Sequence, residues 1–147
     1  MFTAASASAS RIVDASAGDI FELLASPRQH ALIDGSGHVS DVQPGTPERL
    51  SAGARFGMQM HWHLPYKILN EVVEFEEGRR IGWRHFGGHI WRYELAPVDE
   101  HRTRVTETFD ARPSRGPLVL VLMRAARRNQ RDIERTLERL AGWARTR

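Results

Sequence analysis

The segment from Pro117 to Arg145 sets the terms on which the rest of this chain can fold. Leu118 or Val119, Leu122, Ala126, Asn129, Ile133, Leu137, Leu140 and Ala144 recur three or four positions apart, which is the period of one helical face. Arg124, Arg127, Arg128, Arg131, Arg135 and Arg139 lie between them, and a core does not accept unpaired charge. Gly116-Pro117 supplies the start, because proline in the first turn gives up an N–H that has no partner there. The spacing predicts one helix about 40 Å long, apolar along a narrow stripe and coated with arginine behind. Asn129 and Gln130 interrupt the stripe halfway along. Such a helix needs a surface to cover.

The preceding residues supply one. Thr3 to Val13 alternates weakly and reads as a first strand, although serine and alanine are poor strand formers. Ser16 with Asp19 three residues on reads as a helix cap, and Ile20, Phe21, Leu23 and Leu24 give that short helix one apolar face. Ser26-Pro27 opens a second helical piece through Ile33, and Asp34-Gly35-Ser36-Gly37 ends it. His38 to Val42 is a brief strand, and Gln43 to Gly53 a loop. From Ala54 the alternation is the clearest in the chain: Phe56, Met58, Met60 and Trp62 on one face, Arg55, Gln59, His61 and His63 on the other. Pro65 is read as a break. Strands then follow at Tyr66 to Phe75, Arg80 to His85, Ile90 to Leu95 and Thr103 to Phe109, separated by Glu77-Gly78, Gly87-Gly88 and the Pro97–Arg102 turn. Closely spaced strands imply an antiparallel meander, with the final helix as the only element long enough to cover it.

Composition narrows the function classes. A chain of 147 residues with 41% apolar content holds one domain, 1–147, with a single core. The absence of cysteine excludes disulfides, thiolate metal sites and a cysteine nucleophile. Met1 to Ser6 has neither the basic nor the apolar region of a signal peptide. The longest apolar run, Pro117 to Met123, is far too short to cross a bilayer. A cytoplasmic protein without a transmembrane segment is expected. The net charge of +3 is uneven, with ten arginines against Asp132, Glu134 and Glu138 from Arg112 onward. That stripe reads first as a solvated face with i,i+4 partners. A nucleic-acid partner is not expected, since no aromatic interleaving accompanies the charge.

Three stretches carry a family resemblance: Arg11-Ile12-Val13-Asp14-Ala15 followed by Ile20-Phe21-Glu22-Leu23-Leu24-Ala25-Ser26-Pro27; Glu74-Phe75-Glu76-Glu77-Gly78-Arg79-Arg80-Ile81-Gly82-Trp83; and Thr103-Arg104-Val105-Thr106-Glu107-Thr108-Phe109. With the long helix after them, the chain resembles the START-like or Bet v 1-like (SRPBCC) superfamily, nearest its polyketide cyclase/dehydrase and lipid-transport branch. The resemblance implies an α+β helix-grip fold. A curved antiparallel sheet of about seven strands wraps around the C-terminal helix, with two short helices between the first and second strands. It also implies a cavity for a lipid, polyketide or other hydrophobic molecule, in some members with cyclisation or dehydration. Where many members carry tryptophans after the second short helix, this chain has His30-Ala31-Leu32-Ile33 and then Asp34-Gly35-Ser36-Gly37, which implies a differently shaped cavity mouth.

On that fold the expected ligand is a small hydrophobic molecule, and the expected lining is Phe56, Met58, Met60, Trp62, Trp83, Trp91, Tyr93, Phe109, Leu122, Ala126 and Ile133, with Asn129 and Gln130 at its polar end. Methionine repacks and aromatic faces stack, so the set suits an adaptable apolar ligand. Hairpin register decides part of this. A two-residue Gly87-Gly88 turn pairs Arg84 with Trp91 and puts Trp83 on the opposite face, whereas an odd loop or bulge brings Trp83, Trp91 and Tyr93 together and leaves Arg84 and Arg92 in water. The second is favoured; it turns His85 inward, and alternation within the last strand turns Glu107 inward with Val105 and Phe109. These two are the catalytic candidates of a cyclase or dehydratase working without metal or organic cofactor. As a plain structural pair they would satisfy each other or water. His61-x-His63 has a zinc-compatible spacing, with His85, His89 or His101 as a third ligand, but its face reads as solvent-exposed and no metal is expected. No nucleotide-binding glycine motif is present. Besides carrier and enzyme, the arginine-coated helix leaves a protein-interaction module as a third class.

Overall fold

The computed structural model describes residues 6–35, 39–42, 44–62, 64–85, 88–113 and 118–147, with the side chains at 39–42, 59–62, 64–68 and 118–127 outside the description. Strand β1 (Ser6–Val13) leads to α1 (Ala17–Leu24), a 3₁₀ turn (Pro27–Gln29) and the one-turn α2 (His30–Ile33). Then come β2 (Val39–Val42), β3 (Arg55–Trp62), β4 (Leu64–Glu76), β5 (Arg80–His85), β6 (Ile90–Pro97), β7 (Thr103–Asp110) and α3 (Leu118–Arg145). The sheet order is β1-β7-β6-β5-β4-β3-β2, antiparallel throughout. Six strands form the expected meander, and β1 returns to close it beside β7. Pro65 does not break the chain: it lies inside β4 opposite His61, near the strand's start, where a missing N–H is tolerated.

Weak strand formers suffice in β1 because each face has a partner. Ala7 is fully buried and Ala9 packs against the core, small enough for α3 to approach. On the other face Ser8 and Ser10 meet Thr108 and Thr106 hydroxyl to hydroxyl, at 3.2 and 2.7 Å. At the outer edge of β1, Gln130 of α3 takes the place of another strand. Its Oε1 accepts from the Ser8 amide at 3.1 Å, and its Nε2 donates to the Ser8 carbonyl at 3.0 Å and to Glu134. An open sheet edge is thereby covered.

The C-terminal half of α3 follows the sequence stripe. Ile133, Leu137, Leu140 and Ala144 are buried, while Arg128, Arg131, Arg135 and Arg139 are exposed. Leucines so buried contribute about 1.5–3 kcal/mol each. Ser16 caps α1, accepting from the Asp19 amide at 3.2 Å.

The segment after α2 is held on α3 by Gly35. Its amide donates to Thr136 Oγ1 at 2.8 Å, and Arg139 donates to the Asp34 carbonyl at 2.9 Å. A Cβ at position 35 would stand against the Asp132 carbonyl oxygen and 2.5 Å from the Thr136 nitrogen, backbone atoms that cannot swing away. The glycine read from sequence as a turn residue is a packing residue. Gly35→Ala is expected to cost about 1–3 kcal/mol, seen as a lower urea midpoint at unchanged m-value. An unchanged midpoint would mean that this segment does not rest on α3.

Candidate functional site

The strand register lays the inner face of the sheet out in cross-strand rows. Trp83 pairs with Trp91, and His85 Nα–H donates to the His89 carbonyl at 3.1 Å. Three residues therefore separate His85 from its cross-strand neighbour His89, with Gly88 at φ 93°, a conformation suited to glycine. This is the odd-length loop, and it puts Trp83, Trp91 and Tyr93 on one face. A first row runs Phe56, Asn70, His85, His89. A second runs Val72, Trp83, Trp91, Phe109, and a third Phe75, Ile81, Tyr93, Glu107. The bulge at Val73, where the β4–β5 register shifts between Val72 and Glu74, lets Val72 and Phe75 share that face.

Among the expected lining residues, Phe56, Met58, Trp83, Tyr93, Phe109, Asn129 and Ile133 are buried, and Trp91 is half-buried against Phe109 at 5.2 Å between ring centroids. Met60, Trp62, Leu122 and Ala126 have side chains outside the described residues. Gln130 is a correction: β1's edge engages both its amide oxygen and its nitrogen, so it belongs to the scaffold. Arg92 is another. It is not in water but half-buried on the outer face, donating to Glu74 at 2.7–3.0 Å and lying 3.6 Å from Asp110.

His85 and Glu107 both face inward but do not meet. Along β5, His85 is four residues from Ile81, and Ile81 stands in Glu107's row two strands away. At about 3.3 Å per residue the rows are about 13 Å apart. Glu107 is instead held by Tyr93, whose hydroxyl donates to Oε1 at 2.9 Å. Its Oε2 is buried without a hydrogen-bond partner. Burial pushes the Glu107 carboxyl well above the usual range, Asp34 and Asp132 push it further, and the Tyr93 bond only partly opposes them. Glu107 therefore holds its proton to higher pH than an ordinary glutamate, and while protonated it has an O–H to donate. Burial, with Glu107 beside it, also raises the Tyr93 phenol, which stays protonated.

His85 stacks on His89 at 4.5 Å, and His89 lies 5.4 Å from Phe109. Burial lowers His85 to about 3, with His89 adding to the effect, and lowers His89 to about 4. Both rings are neutral near pH 7.

Two inner-face residues were missed from sequence. His30 of α2 stacks on Trp83 at 5.0 Å, with Phe56 edge-on at 5.9 Å. Its Nε2 donates to the Leu24 carbonyl at 2.8 Å, since a carbonyl can only accept. Asn70 is 3% exposed, and its Oδ1 has no partner. The signal for Asn70 lay in β4, where Ile68, Asn70 and Val72 alternate and one polar residue stands in an apolar row. No such local signal marks His30. Among the described residues no three histidine, cysteine, aspartate or glutamate side chains gather as a metal set, and His63 and the His61 side chain lie outside the description. A depression of about 290 Å³ lined by Glu76, Arg79, Arg80 and Glu94 lies among ion pairs, away from this face.

An antiparallel sheet closed by a C-terminal helix, with an aromatic inner face and a buried carboxylic acid, defines a START-like helix-grip domain. Residues 4–144 match the family described as polyketide cyclase / dehydrase and lipid transport, and the chain belongs to that family. It is 35% identical over 135 residues to an uncharacterized protein of Mycobacterium tuberculosis, Rv0088, an alignment covering 88% of this chain. The chain spans 59% of that relative's length. The fold is shared with protein NE0264 of Nitrosomonas europaea (TM-score 0.74, 14% identity, 99% of this chain and 97% of that one). It is shared too with a START superfamily protein of Mycobacterium smegmatis (TM-score 0.71, 16% identity, 97% and 98%). No helix among the described residues is long and apolar enough to cross a membrane.

Proposed function

We propose that this domain binds a small, largely apolar molecule between the inner face of its sheet and α3, in the manner of a carrier or sensor. The observation that carries this is Glu107: a carboxyl 3% exposed, with one oxygen held by Tyr93 and the other buried without a partner. Buried polar groups are ordinarily paired, and one left unpaired costs about 1–3 kcal/mol. A plain core gains nothing from it, whereas a ligand oxygen placed against Oε2 accepts its hydrogen bond. Trp83, Trp91 and Phe109 give flat apolar contact and Met58 an adaptable one. Met60, Trp62, Leu122 and Ala126 complete the proposed wall, and the turn of α3 at Asn129 and Ile133 closes it. An acid–base pair of His85 and Glu107 has no support in their placement, which is why binding rather than cyclisation is the reading adopted.

Glu107→Gln tests the carrying observation. Glutamine keeps an oxygen for Tyr93 and cannot ionise. Because the folded carboxyl lies above its ordinary value of 4.5, its contribution to stability is fully present below pH 4.5 and is lost as pH rises toward the folded value. The variant is therefore expected to exceed wild type in stability at pH 8 and to match it near pH 4.5. Glutamine, whose Nε2–H still donates where Oε2 stood, should keep any molecule that co-purifies with wild type, whereas Glu107→Leu, with no donor there, should retain less of it. Parallel urea curves at both pH values for Glu107→Gln, with retention unchanged in Glu107→Leu, would remove Glu107 from the site.

A further inference from the structure

The inner face carries unpartnered polar atoms in a second place. Asn70 Oδ1 and His89 Nδ1 are both buried without hydrogen-bond partners, and both belong to the row that runs through His85. Asn70 is itself 3% exposed. This row is four residues of β6 from the Tyr93–Glu107 row, about 13 Å along the strand, with Trp83, Trp91 and Phe109 between them. Among the described residues no arginine or lysine is buried, so none of them balances a ligand carboxylate on this face. Neutral histidines agree with that. An amide oxygen accepts a hydrogen bond, and an imidazole nitrogen accepts or donates according to tautomer. A hydroxyl, which does both, is the group that suits either atom.

We propose that Asn70 and His89 form a second ligand-binding station that takes an uncharged hydroxyl, so that the ligand is held at both ends across the aromatic row. This rests on the cavity reading above and adds to it the ligand's charge and the position of a second polar group.

The test uses three fluorescent trans-stilbenes: one with a para-hydroxyl on each ring, one with a single para-hydroxyl, and one with a para-carboxylate. Wild type is expected to bind the dihydroxy probe most tightly and the carboxylate most weakly. Asn70→Leu is expected to lose about three- to tenfold in affinity for the dihydroxy probe, one hydrogen bond's worth, and little for the monohydroxy probe. The same change replaces an unpaired buried acceptor by an apolar group, so the ligand-free melting temperature should rise on the order of 3 °C. A merely structural asparagine would move it down. His89→Phe keeps the ring against His85 and Phe109 while removing Nδ1, and should show the same selective loss should Asn70→Leu fold poorly. Equal binding of the two hydroxylated probes, unchanged by either variant, overturns the second station and leaves the cavity standing. Preference for the carboxylate overturns the station as well. Failure of all three probes to bind wild type overturns both readings.

Discussion

Acidifying the protein from pH 6.5 to 4.5 should destabilise it steeply, well before its carboxylates titrate. His30, His85 and His89 are all held below their ordinary value of 6.5, His85 to about 3 and His89 to about 4, with burial the first cause in each. A group depressed in the folded state is protonated first in the unfolded chain. Stability therefore falls as pH drops below 6.5 and keeps falling until the folded values are reached. Each histidine contributes up to about 1.4 kcal/mol per pH unit. Glu107 acts in the opposite sense, gaining stability as pH falls toward 4.5, but it is one group against three. Above pH 6.5 the histidine slope ends, and any further loss there comes from Glu107 until its raised folded value is reached. Below pH 4 the loss continues, because Arg112 holds the Asp110 carboxyl below its ordinary range. Urea denaturation across pH 4 to 9 reads this directly. A flat profile between 4.5 and 6.5 would show that these imidazoles are hydrated and that the inner face is open to water.

Trp83→Ala should be the most damaging single substitution on the inner face. The indole meets His30 at 5.0 Å, Phe56 at 5.6 Å and Tyr93 at 5.8 Å, and is paired across the sheet with Trp91. It joins α2 to β3 and β6. Removing so large a buried ring costs about 3–5 kcal/mol, a large part of a stability of about 5–15 kcal/mol, and should lower the melting temperature by roughly 10 °C. Trp83→Phe keeps an aromatic face and should lose less than half as much. If the alanine variant lost under about 1 kcal/mol, Trp83 could not be the centre of this wall.

What could be read in advance was whatever depends on local period. The β3 alternation placed Phe56 and Met58 inward, counting across Gly87-Gly88 turned Trp83 and His85 inward, and alternation in the last strand turned Glu107 inward, the faces that the ladder gives them. What could not be read depends on which elements finally touch. Gln130 looks like a polar break in a helix stripe, and only the approach of β1's open edge turns it into scaffold. His30 sits in a four-residue helix with no periodicity of its own; its place against Trp83 follows from Gly35 seating the next residues on α3. Arg92 alternates outward as expected, but Glu74 and Asp110 draw it out of water. His85 and Glu107 share a face in one dimension, and the number of strands and rows between them appears only with the register.

Whether the inner face holds a molecule decides the function proposed for this domain. Native mass spectrometry of protein purified from its own host measures this without prior choice of ligand. The predicted result is a small-molecule adduct that leaves on denaturation, is uncharged at neutral pH and is depleted in the Glu107→Leu variant. Bare protein mass alone, with tryptophan fluorescence unmoved by the stilbene probes, would contradict it and return Glu107, Asn70 and His89 to the status of unpaired groups in a plain core.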